Sequence, residues 1–253
     1  MELKKVSVTT EYQEDVELWG PDFVDVRSKL LLLFFLRGVQ SLEIGALADA
    51  RWDQGQLAWL HAEEDIDEEF WPVWPVERRP VADHLTTLRL VRSSVDPRTI
   101  ERLLMQTPHV TVFEYDCFAN VDHRPVDLDV LREALRHIRS TLASLTVRYE
   151  NWHNEYDFSP GLIAGRLGPL HDFPALNTLI VSLPVLFGTD GINAGRHPTL
   201  SGLLPPALES LTITHDLYDD DDAFQGEFLR RCGRHGFVPR LSFWRKAGPP
   251  LDG

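Results

Sequence analysis

A six-residue pattern of apolar and polar positions recurs along the chain. LTTLRL at residues 85–90 has apolar residues at its first, fourth and sixth positions. The same spacing returns as VTVFEY from Val110, LASLTV from Leu142, LNTLIV from Leu176 and LESLTI from Leu208. Looser copies are LKKVSV from Leu3, VQSLEI from Val39 and VPRLSF from Val238. Taking the fourth position as an anchor gives Val6, Leu42, Leu88, Phe113, Leu145, Leu179, Leu211 and Leu241, separated by 36, 46, 25, 32, 34, 32 and 30 residues. Alternate residues of a strand share a face, so the fourth and sixth positions of each copy enter one core. The positions on either side should then be wet. Before the anchors stand Lys5, Ser41, Thr87, Val112, Ser144, Thr178, Ser210 and Arg240; after them stand Ser7, Glu43, Arg89, Glu114, Thr146, Ile180, Thr212 and Ser242. Both columns are mostly small, polar or charged, the signature of a half-buried strand. Self-similarity at such a period marks a repeat architecture.

Between the copies the apolar period lengthens to that of a helix. Asp96 and Pro97 open RTIERLLMQT with an N-cap carboxylate and a proline at the first helical position. Ile100, Leu103 and Leu104 make one stripe, which ends at Thr107-Pro108. Asp127 or Asp129 caps DVLREALRHIRST, where Val130, Leu131, Leu135 and Ile138 form a similar stripe. Residues 28–36, with the run LLLLFFL, predict a third helix, more uniformly apolar and therefore more deeply buried. Residues 159–173 and 183–206 hold too much Gly and Pro for long helices and predict short turns or 3₁₀ pieces. Strand, turn, helix and strand in this order imply parallel strands side by side, with helices on the outer face. An ordinary open α/β sheet shares that class but needs no six-position recurrence.

The L-x-x-L-x-L cores, joined by PHVTVFEYD, GRLGPLHDFPALNTLIV and LSGLLPPALESLTI, resemble the leucine-rich repeat. The likeness is to the irregular form found in large fungal families of F-box-like proteins. It covers most of the chain and is strongest over residues 85–216. It implies a single α/β domain over residues 1–253: an irregular leucine-rich-repeat-like solenoid, with parallel strands on the concave face and helices on the convex face. It also implies a recognition role, the selection of substrates for ubiquitin ligation. Two features depart from the pattern. The asparagine that follows the core of regular leucine-rich repeats is absent, since LTTLRL runs on into VRSSVD. Helices rather than asparagine ladders should therefore set the curvature. No F-box segment of the L-P-x-E-I-L type is visible ahead of the repeats, so the repeat region alone carries the resemblance.

Composition narrows the function classes. The chain has 253 residues, is 43% hydrophobic and carries a net charge of −14. That charge argues against a nucleic-acid partner, which needs clustered Lys and Arg, and against an anionic membrane surface. The run LLLLFFL is too short to span a bilayer. Cys117 and Cys232 are the only cysteines and form no C-x-x-C pair. Neither a disulfide framework nor a zinc–thiolate site is expected, and a reducing intracellular compartment, cytoplasm or nucleus, is the natural setting. MELKKVSVTT lacks the apolar stretch of a secretory signal. No G-x-S-x-G, H-E-x-x-H, P-loop or post-strand G-x-G-x-x-G motif is present. GLIAGRLG, with Gly161 and Gly165, is at most a loose phosphate loop without the following Lys-Ser/Thr and reads as a Gly-rich turn. His109, His123, His137, His153, His171, His197 and His215 lack metal-ligand spacing. Neither metal nor cofactor is expected.

In a parallel stack the segments leaving successive strands emerge along one rim, a few ångströms apart. That places Asp116 and Cys117, Arg148 to His153, and His215 with Asp216 on a shared rim. YENWHNEYDF at residues 149–158 is its richest stretch, with Glu150, Trp152, His153, Glu155, Tyr156 and Asp157. On the strand face, Glu43, Arg89 and Glu114 carry the charge in a column of otherwise small residues. The expected function is a non-catalytic scaffold that binds a partner protein. Contact is expected through Glu43, Arg89 and Glu114 on the strand face, or through Asp116, Arg148, Glu150, Trp152, His153, His215 and Asp216 on the rim. The competing reading is a hydrolase-like enzyme built from Asp116, Glu150, His153 and His215, which requires those groups to converge in a pocket.

Two acidic segments need separate readings. HAEEDIDEEFWPVWPVERRP, residues 61–80, fills the longest gap between copies. Its acidic run and the proline-broken Phe70, Trp71, Val73 and Trp74 can form neither a helix nor a central strand. It is expected to fold back, with its tryptophans covering one end of the stack; the competing reading is a mobile arm that docks on something basic and apolar. In LTITHDLYDDDDAFQGEF, residues 211–228, Asp219 to Asp222 lack the glycine and alternating ligands of a calcium loop. They read as the charged first turn of a last helix, with Phe224, Phe228 and Leu229 inward and Arg230 and Arg231 toward its other end.

Overall fold

The repeat positions come out in register. The computed structural model describes residues 4–8, 24–25, 33–34, 36, 38–48, 81–119, 125–151, 163–188, 202–214 and 240–244. Among the described residues, eight strands form one sheet: β1 (Lys5–Val8), β2 (Ser41–Gly45), β3 (Thr87–Ser93), β4 (Val112–Ala119), β5 (Ser144–Asn151), β6 (Thr178–Ser182), β7 (Ser210–Thr214) and β8 (Arg240–Trp244). Their order across the sheet is their order in the chain, and each pairs in parallel with the next. The anchors fall on one line: Val6 pairs with Leu42, Leu42 with Leu88, Leu88 with Phe113, Phe113 with Leu145, Leu145 with Leu179, Leu179 with Leu211 and Leu211 with Leu241.

A backbone device repeats with the strands. From β1 to β6, the carbonyl two residues before the anchor accepts two N–H groups from the start of the next strand. Lys4, Gln40, Thr86, Thr111, Ala143 and Asn177 all do so, at 2.8 to 3.1 Å. The Thr86 and Thr111 hydroxyls add a bond each, to the carbonyls of Gln40 and Thr86, at 3.1 Å. These groups are backbone, so the position tolerates Lys, Gln, Thr, Ala or Asn. Each strand from β2 to β7 is thereby set at the same height as the one before it.

The core follows from that register. From β2 to β7 the anchors and the residues two further on are buried, none more than 3% exposed. Burying each such side chain stabilises the fold by about 1.5–3 kcal/mol. At β1, Val6 and Val8 are only partly buried. The hydroxyl of Tyr115 would be costly in that core; it donates to the Val95 carbonyl at 2.8 Å and is satisfied.

Two helices supply the other side of the core. Helix α1 (Pro97–Met105) begins as expected: the Asp96 carboxylate accepts from the Arg98 N–H at 2.8 Å, and Ile100, Leu103 and Leu104 are buried. Helix α2 (Leu128–Leu135) runs into a 3₁₀ turn at Arg136–Ile138. Its cap is Asp127, whose carboxylate accepts from the N–H groups of Asp129 and Val130 at 3.0 and 3.1 Å. Starting there turns Leu128, Leu131, Ala134 and Leu135 inward, while Val130 is half-exposed. The stripe expected to include Val130 is corrected accordingly.

Beyond α2 the outer layer holds no long helix among the described residues, in keeping with its Gly and Pro content. Ile163–Ala164 pairs with Val126–Asp127. The N–H groups of Leu167, Gly168 and Leu170 reach the carbonyls of Val185, Leu186 and Leu203. The five-residue helix α3 (Leu183–Phe187) is buried throughout. Gly165 has φ +67°, and a Cβ there would run into the Asp129 carboxylate, whose Cγ would lie 2.8 Å away. A carboxylate against this glycine is the reverse of a phosphate cradle, so the Gly-rich turn is the right reading. Of residues 28–36 only Leu33, Phe34 and Leu36 are described; Phe34 is buried, but Leu36 is 43% exposed, so that end of the run is not uniformly inward. Residues 61–80 and the last helix expected after Asp219 lie outside the described residues.

Candidate functional site

On the face of the sheet opposite the core, side chains from five strands join into one polar chain. Glu43 on β2, Arg89 on β3 and Glu114 on β4 are direct register neighbours. Arg89 lies between the two carboxylates: its Nη1 is 3.3 Å from Glu43 Oε2 and its Nε is 3.4 Å from Glu114 Oε2. The Ser7 hydroxyl on β1 donates to Glu43 Oε1 at 3.3 Å. Arg148 on β5 brings Nη1 to 3.8 Å from Glu114 Oε1. Both carboxylates are thus engaged from two sides. The guanidinium side chains are the more accessible members, 40% for Arg89 and 35% for Arg148, against 26% and 20% for Glu43 and Glu114. Carboxylates beneath and guanidiniums above make a pre-oriented cationic pair on an acidic ground.

The adjoining half of this face, from β5 to β7, carries no charge in the two columns beside the anchors. Ser144, Thr146, Thr178, Ile180, Ser210 and Thr212 occupy them. This half is drier than the alternation implied. Thr146 is 6% exposed, a short side chain between Glu114 and Ile180 on the adjacent strands. Ser182 and Thr214, paired across β6 and β7, are buried as well.

The rim residues fall differently from the expectation. β4 and β5 do not stop after the six-residue core but pair on to Ala119 and Asn151. Asp116, Arg148 and Glu150 are therefore strand residues rather than exit-loop residues, with Asp116 opposite Arg148 and Glu150 opposite Phe118. The extension is encoded by two more inward steps of the alternation, Tyr115 to Cys117 and Val147 to Tyr149. Cys117 and Tyr149 face each other in register and are buried, not on a rim. Burial pushes the Cys117 thiol up to about 12 and raises the Tyr149 phenol as well. Neither group ionises at neutral pH, so neither supplies a nucleophile there. Trp152, His153, His215 and Asp216 lie outside the described residues. Of the four groups required by the hydrolase-like reading, only Asp116 has a described side chain. Among the described residues no three His, Cys, Asp or Glu side chains are placed to hold a metal ion, and no helix is long and apolar enough to cross a membrane.

Sequence reasoning missed the polar contacts on the helix side. Glu101 meets the His137 ring at 3.4 Å, Arg136 meets Asp172 at 3.2 Å, and Arg132 donates to the Gly168 carbonyl at 3.2 Å, each between residues 36 positions apart. That constant offset was the available signal, since it lies close to the anchor spacing. An open groove between α1 and α2 is lined by Arg98, Arg102 and Arg132 together with Glu101, Asp129 and Glu133. Its charges balance, so it offers a charged ligand no net field.

Comparison with protein-family models, with curated proteins and with solved structures gives no match for this chain.

Proposed function

We propose that the sheet face opposite the core is a protein-recognition surface, and that the chain is a non-catalytic scaffold. In this reading the eight strands line the concave side of an irregular leucine-rich-repeat-like solenoid, and α1 and α2 lie on its convex side. The observation that carries the reading is Arg89, held at 3.3 and 3.4 Å between Glu43 and Glu114 across three strands. Arginine is favoured at the energetic centres of interfaces. One already fixed by two carboxylates loses less side-chain freedom on binding than a free one. Beside it, the Ser, Thr and Ile columns let a partner approach the sheet closely. The net charge of −14 favours a partner with basic character and speeds its encounter. The resemblance to F-box-like repeat proteins extends the reading to choosing substrates for ubiquitin ligation in the cytoplasm or nucleus.

Photo-crosslinking tests the face directly. A benzophenone side chain at Ile180 on β6 should capture a discrete protein partner in cells, and Arg89→Glu should abolish the adduct. The same probe at Glu133 on α2 should not capture that partner. Equal capture from Glu133, or an adduct from Ile180 that survives Arg89→Glu, would reject the sheet face as the recognition surface.

A further inference from the structure

Strand β3 carries one residue more than its neighbour β4. Leu90 lies opposite Tyr115 and Ser93 opposite Cys117, so three steps along β3 match two along β4. Val91 and Arg92 therefore share the place opposite Asp116. Without the extra residue the series Leu88, Leu90 would continue to Arg92, which would enter the core beside Cys117. The bulge puts Ser93 there instead, fully buried, and leaves Arg92 exposed. It is held by its neighbours: the Val91 carbonyl accepts from the Ala46 N–H at 2.9 Å and from the Ser93 hydroxyl at 3.1 Å.

The backbone of Arg92 is left-handed, with φ +48°. Glycine adopts that conformation without the strain a β-carbon brings. If the bulge served only to turn the chain, glycine would serve it better, so an arginine there needs a reason in its side chain. Ala46, as far past its anchor on β2 as Arg92 is on β3, has φ +53° and offers no charge. It is the control for strain alone. Arg92 also completes a second charged tier on the outward face. In the tier next to the anchors, Glu43, Arg89 and Glu114 are two carboxylates and one guanidinium. In the tier beyond, Arg92 and Arg148 flank Asp116, two guanidiniums to one carboxylate. The balance of charge thus reverses along the strands. A guanidinium has five N–H donors, so contacts within the chain leave others for a partner.

We infer that Arg92 is a recognition residue of this face and takes a carboxylate of the bound protein. This rests on the recognition reading of the sheet face and adds a polarity to it. The partner's basic groups lie over Glu43 and Glu114, and its carboxylate lies at Arg92, nearer the strand ends. Complementarity to the two tiers fixes the direction in which the partner lies along the strands.

The full chain with the benzophenone at Ile180 is compared with the same chain bearing Ala46→Gly, Arg92→Gly or Arg89→Glu. Adduct yield in cells and the urea midpoint of the purified chain are both read. Neither glycine should lower the midpoint, since each relieves a left-handed β-carbon. Ala46→Gly should keep the adduct, whereas Arg92→Gly should cut its yield at least about tenfold. Arg92→Lys keeps one cation for one carboxylate. A zero-length carbodiimide should then join its amine to an aspartate, a glutamate or the C-terminus of the captured protein, a link absent from the wild type. An undiminished yield with Arg92→Gly overturns the inference, and the recognition reading still stands if Arg89→Glu abolishes the adduct. A lowered midpoint with Arg92→Gly would make the arginine a structural residue and overturns it too. So does the absence of a carbodiimide link on Arg92→Lys chains that still give the Ile180 adduct. No adduct from the otherwise unaltered chain overturns the recognition reading, and this inference with it.

Discussion

Replacing Arg89 by methionine tests whether the polar chain on the sheet is a real and solvent-accessible network. At 3.3 and 3.4 Å, each ion pair is worth about 1.3 kcal/mol in a water-like dielectric. Holding three long side chains in place offsets much of this, and exposed pairs measured by mutation settle near 0.2–1 kcal/mol. With Arg89 40% exposed, about 0.5 kcal/mol per pair is the appropriate value. Removing the guanidinium also leaves Glu43 and Glu114 facing each other across two strand spacings, near 10 Å, a repulsion of about 0.4 kcal/mol. Arg89→Met should therefore destabilise the fold by about 1.5 kcal/mol. Urea unfolding at low salt reads the loss from the shifted midpoint at unchanged slope. In 1 M salt, where the Debye length is about 3 Å, the loss should shrink to less than half. A cycle with Glu43→Gln should return a coupling of about 0.5 kcal/mol. A loss above about 3 kcal/mol that ignores salt would place Arg89 in a buried network and defeat the wet-face reading; zero coupling would mean that the Arg89–Glu43 contact does not form.

Further tests address the register, the core and the turn. Leu145→Ala, at a fully buried anchor, should lower stability by about 2–5 kcal/mol, while Thr146→Ala on the opposite face should cost less than about 1 kcal/mol; the reverse order in urea unfolding would mean a strand slipped by one residue. The Cys117 thiol stays protonated in the folded chain to about 12, against an ordinary value of 9.0, so above pH 9 the unfolded state sheds its proton first. Stability should fall by about 1.4 kcal/mol per pH unit from this group between those values, with Tyr149 acting in the same direction above its ordinary 10.0. Cys117→Ala should flatten that slope, and rapid labelling of the native thiol at pH 8 would contradict its burial. Gly165→Ala should cost about 1–2 kcal/mol for its left-handed backbone, plus the clash with Asp129; an unchanged thermal midpoint would show that the turn relaxes elsewhere.

The repeat was legible because its core is made by side chains at fixed spacing. Val6, Leu42, Leu88, Phe113, Leu145, Leu179, Leu211 and Leu241 are recognisable one by one, and the register follows once they are aligned. The device that fixes strand height left no mark, because Lys4, Gln40, Thr86, Thr111, Ala143 and Asn177 act through their carbonyls. The length of β4 and β5 was misjudged for a different reason. A template six residues long ends at Tyr115 and Val147, but the alternation runs on to Cys117 and Tyr149, so the candidates Asp116 and Arg148 belong to strands. The cap of α2 depended on backbone geometry: Asp127 and Asp129 are chemically equal, and only the hydrogen bonds to Asp129 and Val130 distinguish them. Trp152, His153, His215 and Asp216, read from sequence as rim contacts, lie outside the described residues.

Under the proposed function, the same division between columns separates folding from recognition. The inward columns answer to one requirement, apolar volume, and vary only among Val, Leu, Ile, Phe, Tyr and, further along β4, the smaller Cys117. The outward columns carry no such requirement, so charge placed there needs another reason. Glu43, Arg89 and Glu114 are consecutive in their column, with Arg148 beside Glu114, whereas the neighbouring strands hold Ser, Thr and Ile. Two ion pairs of about 0.5 kcal/mol each add little to a core built from many residues worth about 1.5–3 kcal/mol apiece. Stability alone is therefore a weak reason for the cluster, whereas presentation of a rigid guanidinium is a sufficient one. It follows that Arg89→Lys should preserve most of the stability, since one cation replaces another. It should still lose partner capture, because an ammonium cannot span both carboxylates and keep a donor free for a third group.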